Sequence, residues 1–115
     1  METIKGYLQE IPDMQYTQTG ITLTKFPIHE ELISPDDFKN TKVIAWAELA
    51  EAAANYLDIQ THVYIKGYFK EREWKDMNDV RHTSREFTAR QIWRVDGENQ
   101  FKDILEEFNE NKAEV

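Results

Sequence analysis

The run VYIKGYFKEREWK at residues 63–75 most restricts how this chain of 115 residues can fold. A β-strand points successive side chains to opposite faces, so the run divides into two surfaces. The odd positions at its start are apolar or small: Val63, Ile65, Gly67 and Phe69. The even positions combine aromatic rings with cations: Tyr64, Lys66, Tyr68, Lys70, Arg72 and Trp74. We therefore expect a long strand with one core face and one ligand face.

The even face carries the two groups that a single nucleic-acid strand requires. Bases stack on aromatic planes, and cations meet the phosphates between them. Stacking needs no particular base, because every base has a π-face. The run thus indicates a surface for single-stranded nucleic acid with little sequence preference.

The charge of the whole chain opposes this interpretation, but the distribution of the charge supports it. The formal net charge is −8, whereas affinity for phosphate comes from Lys and Arg. Residues 96–115 carry −5 of this total, and residues 63–95 hold eight basic against five acidic side chains. A locally basic surface on an acidic protein with an acidic tail is therefore expected.

Further segments place the run in a small β-rich domain. Alternation or apolar character predicts strands at 3–8, 21–28, 42–47 and about 85–95, with a turn at 76–79. Spacing typical of an α-helix appears at 48–57 and again at 99–110, and residues 29–40 read as a long loop. In the last strand, Trp93 alternates with Phe87 and Ala89 and is expected in the core.

The order of three strands, a helix and two strands is that of the OB-fold. The fold class expected is therefore all-β with one or two short helices, arranged as a five-stranded Greek-key barrel. The domain should occupy residues 1–96, and residues 97–115 should form an acidic C-terminal segment with a short amphipathic helix. No apolar run has the length of a membrane span.

Several stretches resemble the bacterial single-stranded DNA-binding protein (SSB) family in the same order and at similar spacing. They are IKGYL at 4–8, PDMQYTQTG at 12–20, VIAWAELAE at 43–51, YL at 56–57, VYIKG at 63–67 and WKD at 74–76. The chain looks like a short, divergent member, compatible with a cyanobacterial, plastid or phage type. The resemblance implies an OB-fold, single-stranded DNA binding in replication, repair and recombination, and no catalysis. It also implies a homo-oligomer, a tetramer before a dimer, with replication or repair proteins as further partners.

Position by position, the resemblance and the face pattern select the same side chains. Trp74 matches a base-stacking tryptophan of the family, and Trp46 lies where the family has a stacking aromatic. The residues themselves leave open whether Trp46 is a stacking residue or part of the core. The complete candidate set for nucleic-acid binding is Trp74, Trp46, Arg72, Lys70, Tyr68, Lys66 and Lys42.

Other chemistry has little support in the sequence. The chain has no cysteine, and its three histidines do not pair at a metal-ligand spacing. Its four glycines are spread out, so no phosphate-binding loop is formed. We therefore expect neither an enzyme, nor a cofactor, nor a metal site. The expected location is cytoplasmic, with the nucleoid, or the plastid stroma for a plastid-encoded chain.

A second function remains open from the sequence alone. Glu48, two residues from Trp46, stands where the family commonly has lysine, and the net charge of −8 weakens any binding of DNA. The alternative is an OB-fold module for protein interaction or oligomerisation with weak or lost DNA binding, similar to the primosomal replication protein.

Overall fold

The computed structural model describes residues 1–31, 38–97 and 100–113, with the side chains of residues 38 and 113 left aside. The described chain forms seven strands and two helices. In chain order they are β1 (Glu2–Leu8), β2 (Asp13–Tyr16), β3 (Thr22–Glu31), β4 (Phe38–Trp46), α1 (Ala47–Tyr56), β5 (His62–Lys75), β6 (Arg81–Val95), β7 (Phe101–Asp103) and α2 (Ile104–Ala113).

Five of the strands close into a barrel. The pairing order is β1-β5-β6-β4-β3, and β3 returns to pair with β1. Every pairing around the barrel is antiparallel except β4 with β6, which run parallel over three residue pairs. With α1 between β4 and β5, this arrangement confirms the predicted OB-fold.

Two predicted boundaries were wrong because pairing across strands extended the elements. Residues 29–31 and 38–40 lack periodicity, yet they pair in register as the ends of β3 and β4. Thr41 adds a buried 2.7 Å hydrogen bond to the Glu30 carboxylate. The rest of the predicted loop, residues 32–37, lies outside the described residues. Similarly, β6 begins at Arg81 because it pairs with the far end of β5 to form a two-stranded arm.

The barrel core is apolar and is closed by α1. Phe26, Ile65 and Phe87 are among the largest fully buried side chains. The alanines on the inner face of α1 are fully buried, which lets the helix approach the strands closely. The hydroxyl of Thr24 donates a buried 2.7 Å hydrogen bond to the carbonyl of Ala50, which fixes the helix against β3.

A bulge divides β5 and β6 into two parts. Lys66 pairs with Gln91, whereas Gly67 pairs with Ala89, so Arg90 is an extra residue in β6. At Gly67 the strands approach so closely that a Cβ would lie 1.9 Å from the carbonyl oxygen of Thr88. Glycine is therefore required at this corner of the barrel.

The bulge also overturns the prediction that Trp93 belongs to the core. The extra residue shifts the alternation by one, so Ile92 takes the inward position and is fully buried. Trp93 lies opposite Tyr64 on the outer face and is only partly buried.

The C-terminal segment packs on the barrel. The predicted helix at 99–110 begins only at Ile104, because the backbone of Phe101–Asp103 pairs with β6 instead. The Asp103 carboxylate then accepts hydrogen bonds from the backbone N–H groups of Leu105 at 3.0 Å and Glu106 at 3.2 Å, an N-cap interaction. Residues 98–99 and 114–115 lie outside the described residues.

The segment is held by apolar and ionic contacts. Ile104 is fully buried in the main core, and α2 packs against α1. The Arg94 guanidinium lies 3.3 Å from Asp96 and 3.4 Å from Glu107, which joins β6 to α2. Neither described helix is both long enough and apolar enough to span a membrane.

Candidate nucleic-acid interface

The outer faces of β4, β6 and β5 align the candidate side chains in rows. Residues that pair across neighbouring strands project to the same side of a sheet. The rows are Ile44, Thr88 and Tyr68, then Lys42, Glu86 and Lys70. On the arm, Arg72 lies opposite Ser84 and Trp74 opposite His82. The register therefore brings six of the seven candidates to one continuous face.

A groove runs across this face beside the start of α1. We name it the binding groove, and its lining comes from β4, α1, β5 and β6. Its apolar floor consists of Ile44, Leu49 and Ala89. Its aromatic and cationic side chains are Trp46, Tyr68, Lys70, Arg72 and Arg90. Four of the seven predicted residues thus line one groove.

Trp46 ends β4 at the edge of the binding groove. Its side chain is 42% exposed, so the structure excludes the core position that the sequence left open. The next residue, Ala47, has a φ of 55°, in the left-handed region that is unfavourable for residues other than glycine. This conformation turns the chain from the strand into α1 immediately after the tryptophan.

Tyr68 of β5 is the second ring that lines the binding groove, and it is 39% exposed. The Arg90 guanidinium lies 5.5 Å from the centre of its ring, within the range of a cation–π contact. The sequence interpretation missed Arg90, which belongs to the groove only because it is the extra residue of the bulge. The available signal was the change in alternation from Phe87 and Ala89 to Ile92.

Trp74 lies on the arm beyond the binding groove. The residue is 47% exposed, and its indole stacks on the imidazole of His82 with ring centres 5.4 Å apart. Arg72, two residues earlier on the same face, connects this ring to the groove.

The two remaining candidates lie outside the groove lining. Lys42 is an exposed residue of β4 and lies in the same row as Glu86 of β6 and Lys70 of β5. Lys66 is also exposed, but it lies on the other side of the bulge between Thr3 of β1 and Gln91 of β6. Lys66 lies two residues before Tyr68 on the same face of β5, but outside the lining of the binding groove.

Acidic side chains limit the basic character of the face. Glu86 is 7% exposed and lines the binding groove, in register with a lysine on each side. Glu48 is exposed in the first turn of α1. In contrast, Glu71 and Glu73 lie on the opposite face of the arm, where Glu71 pairs with Arg85.

The aromatic side chains on the other side of the bulge contact one another. His62 stacks on Tyr7 with ring centres 4.4 Å apart, and Tyr64 meets Phe101 edge-on at 5.1 Å. The pKa of the Tyr7 hydroxyl is raised, first by burial and then by the nearby Glu31 carboxylate. We name Tyr7, His62, Tyr64 and Phe101 the aromatic cluster.

Within the described residues, no group of three or more His, Cys, Asp or Glu side chains is placed to hold a metal ion. The chemical groups that the candidate interface offers are therefore rings, cations and a few carboxylates, which suit stacking and ionic contacts.

Comparisons with known proteins agree with this geometry. The chain is similar to the single-stranded DNA-binding protein of Thermotoga maritima, with 29% identity over 91 residues. The similar region covers 73% of this chain and 64% of that protein, so the chain spans less than two thirds of the relative's length. The model of the single-strand binding protein family matches residues 3–95, which include α1 and all of the barrel strands except Glu2, the first residue of β1. The chain therefore belongs to the single-strand binding protein family.

Proposed function

We propose that this protein binds single-stranded DNA with low sequence preference, in support of replication, repair and recombination. The DNA strand lies along the outer faces of β4, β6 and β5, from Trp46 through Tyr68 to Trp74. Bases stack on these rings, and Lys70, Arg72 and Arg90 contact the phosphates. Lys42 and Lys66 extend the basic surface on either side. The proposal includes no catalytic step.

One observation carries the proposal: two half-exposed rings and three cations from different strands line a single groove. Large apolar rings are usually buried, so their exposure next to cations favours a ligand-binding role. The names of the matched family and of the Thermotoga maritima protein support the same ligand.

The test is a titration of the full chain with poly-dT at low salt, followed by tryptophan fluorescence. We expect quenching, because bases that stack on Trp46 and Trp74 alter their emission. Duplex DNA of equal length is the control and should quench much less, since its bases are already stacked. Unchanged emission at micromolar protein would contradict the proposal.

Salt dependence provides a second measurement. A protein that neutralises phosphates on a single strand loses affinity with a slope of about −0.7 per contact in log K against log salt. Three groove cations therefore predict a slope of about −2. A slope near zero would show that the cations do not contact phosphate.

We also propose that the protein assembles as a homo-oligomer, a tetramer before a dimer, and that it meets replication or repair proteins. Membership of the family and the exposed apolar residues Ile21 and Phe101 support self-association. Native mass spectrometry of wild type, Trp74→Ala and Arg72→Ala separates DNA contacts from subunit contacts. If Trp74 and Arg72 contact DNA rather than another subunit, the variants lose oligonucleotide binding and keep the oligomer mass of wild type. A changed mass would favour the protein-interaction module instead.

A further inference from the structure

The imidazole of His82 stacks on one face of the Trp74 indole. The two residues are direct partners across the arm, and their ring planes differ by 23°. Because Trp74 is still 47% exposed as a residue, its side chain is not enclosed by this contact. One ring of the arm therefore supports another, which leaves the indole open for a base.

His82 is itself fixed by the turn of the arm. Its Nε2 lies 2.7 Å from the Asp76 carboxylate oxygen Oδ2. The other oxygen of Asp76, Oδ1, accepts hydrogen bonds from the backbone N–H groups of Asn78 at 2.8 Å and Val80 at 3.0 Å. The turn thus orients Asp76, Asp76 orients His82, and His82 lies against Trp74.

The turn has hydrogen bonds of its own besides the one between Asp76 and His82. Oδ1 alone serves both backbone donors, and the backbone of Asp76 pairs with that of Val80 and Asp79. The hydrogen bond from His82 is the first cause of a lowered pKa of the Asp76 carboxyl, followed by the backbone bonds. The hydrogen bond between Asp76 and His82 therefore orients the imidazole, which in turn stacks on the indole of Trp74.

We infer that His82, held by Asp76, is a positioning residue for single-stranded DNA, because it fixes the indole of Trp74 in the orientation that stacks a base. This inference rests on the proposed function. A free tryptophan side chain on an exposed arm loses rotational freedom when it binds, whereas a ring that is already fixed loses less. The expected gain is about three- to tenfold in affinity, the effect of ordering one side chain in advance.

The experiment measures the affinity of the full chain for a fluorescently labelled oligo-dT by anisotropy at low salt. His82→Ala should weaken binding about three- to tenfold. His82→Phe keeps a flat ring on the indole and should remain within about twofold of wild type. Thr83→Ala, next to His82 but on the opposite face of the arm, is the matched control and should be unchanged.

A double-mutant cycle separates positioning from direct contact. If His82 acts through Trp74, then His82→Ala has no further effect in a Trp74→Ala background. An equal loss in both backgrounds, a phenylalanine variant as weak as the alanine variant, or an alanine variant equal to wild type would each overturn the inference. Circular dichroism checks that each variant is folded. If His82→Ala does not fold, the affinity of His82→Phe tests the inference in its place.

The two proposals fail in different ways. Wild type that does not bind oligo-dT overturns the proposed function and this inference together. Wild type that binds, with His82→Ala as tight, overturns only the role of His82.

Discussion

The two halves of β5 begin with the same alternating pattern but present different surfaces. The half before the bulge carries His62 and Tyr64, whose rings pack in the aromatic cluster. The half after it carries Tyr68 and Trp74, which stay half-exposed beside cations and an imidazole. We name them the covered half and the open half.

The difference comes from what lies across the sheet. Next to the covered half, β7 and β1 add neighbours that bring Phe101 and Tyr7 against the strand. Next to the open half, β6 contributes Thr88, Ser84 and His82, which leave the rings accessible. A pattern of rings and cations along one strand therefore predicts a binding face only where the neighbouring strands leave it open.

The largest expected effect comes from the buried side chain that anchors α2, the helix that follows β7. Ile104→Ala should lower the free energy of unfolding by about 2–5 kcal/mol, because a fully buried side chain leaves a cavity in the main core. Urea unfolding measures the loss. Asn109→Ala, exposed on the same helix, is the control and should have little effect. An Ile104 variant as stable as the Asn109 variant would show that α2 does not support the barrel.

The junction between the two halves is tested by Gly67→Ala. The added Cβ meets the backbone of Thr88, so the strands must separate, and we expect a loss of about 1–3 kcal/mol in unfolding free energy. Loss of oligonucleotide affinity should accompany it, because the shift moves Tyr68. A stable variant with full affinity would contradict the tight approach at the bulge.

The comparison itself is tested by matched tyrosine variants. Tyr68→Ala should weaken binding of oligo-dT by about 1–3 kcal/mol, the value of one stacked base. Tyr64→Ala removes the edge-on contact with Phe101 and should lower stability while leaving affinity within about twofold. Anisotropy and thermal unfolding measure the two quantities. Equal losses of affinity would mean that the covered half also binds DNA.

A smaller effect concerns the charges of the binding groove. Glu86→Gln removes a carboxylate from the path of the phosphates, so affinity at low salt should rise roughly two- to fivefold. Arg90→Gln should lower the steepness of the salt dependence by about 0.7. Glu71→Gln, on the opposite face of the arm, is the control for overall charge. A gain as large in that control would assign the effect to net charge rather than to the groove.

The smallest expected effects lie at opposite ends of the pH scale. The lowered pKa of Asp76 contributes stability to the arm that is present above the ordinary value of 3.8 and is lost as the pH falls through the lower folded value. The raised pKa of Tyr7 contributes stability that is present below 10.0 and is lost as the pH rises through the higher folded value. Thermal unfolding across both pH ranges measures the two contributions. Asp76→Asn should flatten the pH dependence of stability only at acidic pH, and Tyr7→Phe only at alkaline pH.

Much of the fold could be predicted from periodicity. The alternation of residues 63–75 and the helical spacing of 48–57 were correct, because each pattern reflects burial against the same core. The strand ends at 29–31 and 38–40 could not be found in this way, since their pairing partners supply the order that their sequence lacks. The strand at Phe101–Asp103 was hidden for the same reason.

The site was predicted only in part. The period of two along β5 put Tyr68, Lys70, Arg72 and Trp74 on one face, in agreement with the register, whereas Trp46 was selected through the resemblance and Lys66 lies outside the groove lining. The bulge adds one residue to β6, and its sign in the sequence, the change in alternation from Phe87 and Ala89 to Ile92, was not used. For this reason Arg90 was missed and Trp93 was wrongly assigned to the core. Whether the seven candidate residues bind DNA stays a prediction for the variants above to test.

The burial of Ile104 in the barrel also bears on how the chain folds during synthesis. The main core contains Ile4 from the first strand and Ile104 from the last helix, so it is complete only after nearly the whole described chain has left the ribosome. Pairings as distant as β1 with β5 slow the folding of such topologies, and the unfinished barrel exposes its strand edges meanwhile. The nascent chain therefore exposes strand edges until the barrel pairings form, and apolar core surface until Ile104 of α2 packs against it.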